Sequence, residues 1–359
     1  MKSPTQGSEQ GEGEPKLRQT TITSAFFAPK GIRAQSDAVE SASRYKEPDS
    51  QEPQVNEKAQ DMPLNLFFGR RSQKSQPKPS MTGASRSTLL SHIAAETKTL
   101  LPNILKTTPK APPNGHLYDP KTLHPLDPQK CPNLPKTTIR VLNSDTIDAA
   151  LSLSSPKSPK PVLILNMANA YHSGGGWLHG SLAQEEALCY RSSLSFTLKT
   201  KYYPIPEAGG IYSPTVVVIR ENMASGHALL DLSKPEDLPV VSAVSVAAIN
   251  GPKIAKDAGG KETFKAKKDR DVMKEKMRVV LRIAAVNHHR VLVLGALGCG
   301  AFGNPRGEVV ECWKEVFAEA EFNGGWWETV AFAVMEPKDT KEGNGNFGVF
   351  WRGLNGLLI

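Results

Sequence analysis

Cysteine is scarce in this 359-residue chain: Cys131, Cys189, Cys299 and Cys312 are the whole set, and no two form a C-x-x-C pair. A disulfide framework and a zinc-binding spacing are both excluded by that pattern, so the four read as intracellular thiols. The histidines show no metal spacing with acids or cysteines, and neither a metal nor a cofactor is expected. No apolar run approaches the roughly 20 residues that cross a bilayer, so no membrane partner is expected. The opening stretch, Met1 to Gln10, lacks the apolar segment of a secretory signal. The expected location is therefore intracellular, in nucleus, cytoplasm or both. Apolar residues are few, at 39%, while prolines reach 28. That balance suggests a globular part diluted by a disordered one. The formal charge of +8 suits an acidic partner such as a polyanion.

Residues 1–86 are polar, rich in Ser, Gln, Pro and Lys, and without periodicity. They read as a disordered tail. From Arg86 the pattern changes. Leu89, Leu90, Ile93, Ala94, Leu100, Leu101 and Ile104 form an amphipathic stripe, with Ser87 as a candidate cap and Pro102 expected to kink or end the helix near Leu101. Residues 107–136 are a Pro-rich connection. Strands are expected at 139–142, 162–167, 215–219, 240–249, 291–294 and 329–335. Helices are expected at 145–153, from the motif below to Leu198, at 269–286 and at 307–321. Residues 250–268 read as a loop, and His288 and His289 as cations at a helix C-terminus. Alternation of strand and helix argues an α/β domain with a mixed, largely parallel sheet and helices on both faces. Ligands of such sheets sit beyond the carboxyl ends of the strands.

The chain is organised around Asn166 to Arg191. A buried strand feeds Gly174, Gly175 and Gly176, then Ser181 to Gln184 reads as a capping box opening a helix. Glu185 and Glu186 fall in its first turns. Glycines let backbone approach a ligand, and N–H groups at such a loop and at a helix start favour phosphate. A carboxylate beside phosphate would be repelled, so the glutamates make sense only if one acts on an uncharged part of the same ligand. Adjacent helical residues point about 100° apart, so the pair does not face one site as two opposed carboxylates.

A second glycine loop, Gly298, Cys299, Gly300, Ala301, Phe302 and Gly303, follows the strand at 291–294. It matches G-x-G-x-x-G, the dinucleotide fingerprint, which would make the protein an NAD(P)-dependent enzyme. Against that, the loop lies late in the chain, Asn304-Pro305 interrupts the helix entry, and no ribose-binding acid stands at the end of the next strand. A diphosphate cradle of backbone N–H groups fits better.

Gly174–Gly176, a gap of seven residues and then Gln184-Glu185-Glu186 resemble the signature of poly(ADP-ribose) glycohydrolases, enzymes of macrodomain fold. Asn166 to Asn169 resembles the strand end that macrodomains place before their glycine loop, and the style is nearest the microbial type of bacteria and filamentous fungi. Ser173 departs from the proline common at that point, which bears on loop stiffness. The resemblance implies a macrodomain-like catalytic domain over residues 87–359, with an N-terminal helical extension. It implies hydrolysis of ribose–ribose bonds in poly(ADP-ribose), releasing ADP-ribose, by a monomer acting in ADP-ribosylation reversal and the DNA damage response. Glu186 would be the catalytic acid and Glu185 would hold ribose hydroxyls. Asn169, Gly174, Gly175, Gly176 and Gln184 would bind substrate from the first loop. The second loop would wrap the diphosphate, with Phe302 orienting the ribose beside the scissile bond. A reader that binds ADP-ribose without cutting would share the pocket but has no need of the glutamates.

In the tail, Gln19, Ile22, Phe26 and Phe27 resemble the motif that docks on the sliding clamp PCNA. Ala25 pushes the aromatic pair one residue too far, so the expected docking is weak.

Overall fold

Residues 83–336 and 338–359 are described by a computed structural model and belong to one structural unit. The expected disordered tail, apart from residues 83–86, and its Gln19–Phe27 patch lie outside the described residues. The chain begins with α1 (Gly83–Thr107), β1 (His116–Tyr118), β2 (Arg140–Leu142) and α2 (Thr146–Leu153). Then come β3 (Leu163–Met167), α3 (Gln184–Arg191), α4 (Leu194–Thr197), β4 (Gly210–Val217) and β5 (Val240–Val246). After these come β6 (Ile254–Lys256), β7 (Glu262–Phe264), α5 (Lys267–Val286), β8 (Val291–Leu294), α6 (Arg306–Ala318), β9 (Thr329–Ala333) and α7 (Asn346–Leu354).

The main sheet has the order β1-β4-β5-β3-β8-β9-β2. Strands β5, β3, β8, β9 and β2 run parallel, and β4 and β1 add antiparallel partners at one edge. The strands are short apolar runs because both faces are covered. Along β3, Leu163 and Leu165 pack into the layer of α5, α6 and α7, while Ile164 packs into the layer that holds α2, α3, α4 and the start of α1. The period of two in side-chain direction thus places a helical layer on each face. The parallel register puts the carboxyl ends of β3, β5 and β8 side by side at one edge, and both glycine loops leave from it.

Several elements differ from the sequence-based expectation. Pro102 lies inside α1 rather than ending it. Leu101 and Ile104 are buried there against Val217, Ile219 and Leu238, which holds the last turn in place against the ~3 kcal/mol cost of an interior proline. Ser87 is not the cap of α1; it sits within the helix, and its hydroxyl donates to His179 O at 3.0 Å. The motif helix breaks at Ser192, which turns extended and bridges Val218. Residues 250–268 hold the β6–β7 hairpin, whose turn is closed by Asp257 Oδ1 accepting from the backbone N–H groups of Gly259 and Lys261. His289 is no exposed cation. It is buried against Tyr212 Oη (2.8 Å) and Pro161 O (3.1 Å), and burial pushes its pKa down to about 4. Strand β1 and helix α7 have no counterpart in the expectation. Each is marked by short apolar spacing alone, as with Phe347, Phe350 and Leu354 on the buried side of α7.

Candidate active site

The last residues of β3 begin the site. Asn166 is fully buried, and its Nδ2 donates to Ser245 Oγ at 2.9 Å and Glu185 Oε1 at 3.3 Å. Asn169 follows in a tight turn. Its Oδ1 accepts from the N–H groups of Tyr171 (2.8 Å) and His172 (3.0 Å), and its own N–H donates to Glu185 Oε2 at 2.8 Å. Its Nδ2 has no partner among the described residues. Ser173, at the position where many relatives carry proline, donates its hydroxyl to Leu198 O at 2.7 Å. That bond steadies the loop entry in place of a proline ring.

Gly174 and Gly175 have φ of 73° and 58°, a region closed to most side chains. A Cβ on Gly175 would also run into the carboxylates of Glu185 and Glu186. Helix α3 begins directly beneath. Its cap residue is Ala183, without a side-chain cap bond. The expected capping box is therefore not formed. Ser181 instead presents its backbone O to the Tyr190 hydroxyl at 2.6 Å. Gln184, expected to touch substrate, is a structural pin. Its Oε1 accepts from Met167 N (2.9 Å), and its Nε2 donates to Leu165 O (2.6 Å) and Thr146 Oγ1 (3.2 Å). All its polar atoms are engaged in fastening α3 to β3 and α2.

The two glutamates are buried, Glu185 at 3% exposure and Glu186 at 8%, yet their situations differ. Both oxygens of Glu185 accept from the protein, through Asn169 N and Asn166 Nδ2. Burial raises its pKa to about 8, and the neighbouring Glu186 charge adds to the rise against the hydrogen bonds that lower it. Glu186 Oε1 accepts from Gly176 N at 2.9 Å. Its Oε2 has no protein donor among the described residues. Both oxygens of one carboxyl take a protein donor, and the other carboxyl keeps an open oxygen beneath the glycine loop.

The second loop is built differently. Asn304 holds it: its Nδ2 donates to Ile249 O (2.7 Å) and Gly298 O (3.0 Å), and its N–H also donates to Gly298 O (3.0 Å). Gly298 and Gly303 adopt left-handed φ of 76° and 64°. The N–H groups of Gly298, Gly300, Ala301 and Phe302 have no acceptor among the described residues. Three successive unpaired amides on a tight loop make a concavity suited to an anion. A Cβ at Gly300 would meet open space. Cys299 contributes only backbone, since its thiol is buried, leans on Leu297 O and has its pKa pushed up to about 12 by burial. Phe302 is half-buried against the core, and its carbonyl accepts from Gly251 N at 3.0 Å. The loops meet at the sheet edge, where Gly295 stands against Met167 and Gly298 against Ala248.

The fold thus brings the expected residues to one edge, except that the side chains of Gln184 and Cys299 face inward. Sequence reasoning noted Asn166 at the strand end but gave it no role in the site, although it is the one polar residue in a buried apolar strand. It also passed over Tyr203, whose hydroxyl is buried beside Ser173. Burial, then the Glu185 charge, raises that phenol's pKa. Nor did it find the support from α1. Besides Ser87, Thr97 Oγ1 donates to Tyr190 O at 3.0 Å, and Gly180 lies against the Ser87 backbone. Among the described residues, no group of three His, Cys, Asp or Glu could hold a metal ion.

A central parallel sheet flanked by helices, with two glycine loops on one carboxyl edge and buried acids under one of them, defines a macrodomain-like α/β fold. The family model of the microbial-type poly(ADP-ribose) glycohydrolase (PARG) catalytic domain matches residues 101–221. The structure of PARG from Thermomonospora curvata aligns at 27% identity and a TM-score of 0.58, covering 73% of this chain and 98% of that one. The same enzyme bound to the inhibitor ADP-HPD aligns at 26% and 0.56, with the same coverage. PARG from Deinococcus radiodurans in complex with ADP-ribose aligns at 28% and 0.54, covering 67% and 94%. No curated protein sequence matches the chain. The resemblance to microbial-type PARG read from the sequence therefore holds in both sequence and structure.

Proposed function

We propose that this protein is a poly(ADP-ribose) glycohydrolase that cuts ribose–ribose O-glycosidic bonds and releases ADP-ribose, with Glu186 as its general acid and base. The observation that carries the assignment of roles is the asymmetry of the glutamates. Glu186 alone offers a carboxyl oxygen, Oε2, that the protein does not use, directly under Gly175 and Gly176. Burial raises the Glu185 pKa to about 8, with the Glu186 charge adding to the rise, so Glu185 holds a proton near neutral pH. Glu186 delivers a proton to the leaving ribose oxygen. The anomeric carbon passes through an oxocarbenium ion, and Glu186 then takes a proton from the attacking water. The Gly176 N–H steadies the carboxylate between the two steps.

Glu185 works chiefly by fixing the Asn169 turn. Each of its oxygens retains a lone pair for a ribose hydroxyl. The free Nδ2 of Asn169 faces no protein acceptor and is suited to the ribose on the leaving side. The unpaired amides of Gly300, Ala301 and Phe302 cradle the diphosphate, with Phe302 bordering the ribose. The wider reading is a monomeric intracellular enzyme of fungal type, in nucleus, cytoplasm or both. It would reverse ADP-ribosylation in the DNA damage response and dock weakly on PCNA through residues 19–27. Incubation with long poly(ADP-ribose) and separation of the products tests the activity: released ADP-ribose supports it, and intact polymer that stays bound points instead to a reader. A titration of the 19–27 peptide with PCNA, with and without Ala25, tests the docking.

A further inference from the structure

The β6–β7 hairpin leaves the same sheet edge as the two glycine loops, because it follows the carboxyl end of β5, the neighbour of β3. It is not part of the main sheet. Its base is closed by Lys265 N donating to Lys253 O at 2.8 Å, and Phe264 anchors it to the core. Two bonds tie its root to the second loop, Gly251 N to Phe302 O and Asn304 Nδ2 to Ile249 O. The Lys261 side chain lies against Gly307, in the first turn of α6, where a Cβ would stand 3.1 Å from its Cε.

The hairpin and its flanks carry Lys253, Lys256, Lys261, Lys265 and Lys268, all exposed and none with an ion-pair partner among the described residues. The contrast with α5 immediately after is sharp. There Arg270, Lys274, Arg278 and Arg282 are all paired, with Glu308, Glu315, Glu319, Glu275 and Glu321. Of the hairpin's own acids, Asp257 is occupied in closing the turn, and Glu262 stands across the ladder from Lys256. Lys253 and Lys265 meet at the base with no acid between them, and like charges so placed repel one another. A polyanion laid across them relieves that repulsion and releases its own counterions.

We propose that this hairpin is a secondary docking surface for the polymer, gripping the diphosphates of ADP-ribose units beyond the one held in the cradle. This rests on the glycohydrolase reading above. Each ADP-ribose unit carries a diphosphate, so a chain leaving the cradle beside Phe302 presents its next charges to a ribbon rooted at that residue. The hairpin would raise affinity for long chains and leave the single unit's affinity to the cradle.

The test compares the full chain with a variant in which Lys253, Lys256, Lys261 and Lys265 are all changed to Gln, and with one in which the same four are changed to Arg. The probes are ADP-ribose, poly(ADP-ribose) fractionated by length, and single-stranded DNA of matched charge. The Gln variant should raise KM for long polymer on the order of tenfold and flatten its salt dependence. Its melting temperature and its affinity for ADP-ribose should stay put. The Arg variant should behave as wild type. An unchanged KM for long polymer overturns the proposal. So does an equal loss of ADP-ribose affinity, which would place the lysines in the cradle itself. DNA that competes with polymer at equal affinity through the same lysines would make the surface a nucleic-acid site and overturn it too. A wild type that neither binds nor cuts polymer sinks the function reading, whereas a wild type that cuts while the Gln variant matches it sinks the hairpin alone.

Discussion

The two glycine loops leave neighbouring strands at the same edge, yet they are held in opposite ways. The first is closed from within. Its glycines lie on two buried carboxyls, α1 and Tyr190 brace its outer turn, and the side chains of Asn166, Asn169 and Gln184 lock its entry. The second hangs on one side chain, Asn304, and leaves the amides of Gly300, Ala301 and Phe302 unpaired among the described residues. On the proposed reading the first loop holds a proton donor at a fixed point, which needs support from every side. On the same reading the second loop receives a diphosphate, which needs donors left unpaired until the ligand arrives. The difference teaches that glycine serves two purposes here: room for a carboxylate under the first loop, and open backbone on the second.

The largest effect that would sharpen this comparison is chemical. Glu186→Gln keeps size and hydrogen-bonding capacity but removes the acid. Turnover of polymer should fall by a factor on the order of 10² or more, while calorimetry should still find ADP-ribose bound. Near wild-type turnover would remove Glu186 from its role. Next comes a pair of matched glycine changes. Gly175→Val forces a branched residue to φ 58° and into both carboxylates, so it should destabilise the fold, with backbone strain alone costing about 1–3 kcal/mol, as well as abolish activity. Gly300→Val sits at ordinary φ in open space, so it should melt like wild type and lose only ADP-ribose affinity. Equal melting temperatures for the two variants would erase the distinction between the loops.

Asn304→Ala should be milder. It leaves the Ile249 carbonyl without its donor and takes one of two donors from Gly298 O, at a cost of about 1–3 kcal/mol, and weaker ADP-ribose binding with polymer turnover preserved at saturation would mark the second loop as cradle only. The smallest effect is a pH dependence. The folded protein keeps a proton on Glu185 that the unfolded chain releases between its ordinary value of 4.5 and about 8. The stability from this buried acid is therefore whole below pH 4.5 and is lost as pH rises towards 8. Glu185→Gln should flatten that slope in denaturant titrations. An unchanged slope would show that Glu185 is not the group holding the proton.

Much of this was legible in the chain. The strand at 291–294, both glycine loops and the Glu185-Glu186 pair follow from local pattern, because short apolar runs and consecutive glycines have few alternative uses. What was not legible depends on tertiary partners. Pro102 reads as a helix end until Leu101 and Ile104 are seen buried beside it. Gln184 reads as a ligand contact until β3 is seen to use all its polar atoms. His289 reads as a solvated cation until Tyr212 and Pro161 are seen to enclose it. The inequality between Glu185 and Glu186 is equally invisible in sequence, since it arises from Asn166 and Asn169, which approach from the other side of the loop.

Helix α1 changes where the working enzyme begins. The family model starts at residue 101, near the far end of that helix. Yet Ser87 and Thr97, both upstream of that point, touch His179 and Tyr190, and Gly180 has its shape because Ser87 lies against it. Arg220 reaches the same helix through Glu96 and Thr97. A gene trimmed to residues 101–221 would encode Glu185, Glu186 and the first glycine loop, but neither the second loop nor the α1 buttress under the first. The stretch of chain that braces the first loop is longer than the segment by which its kinship is recognised.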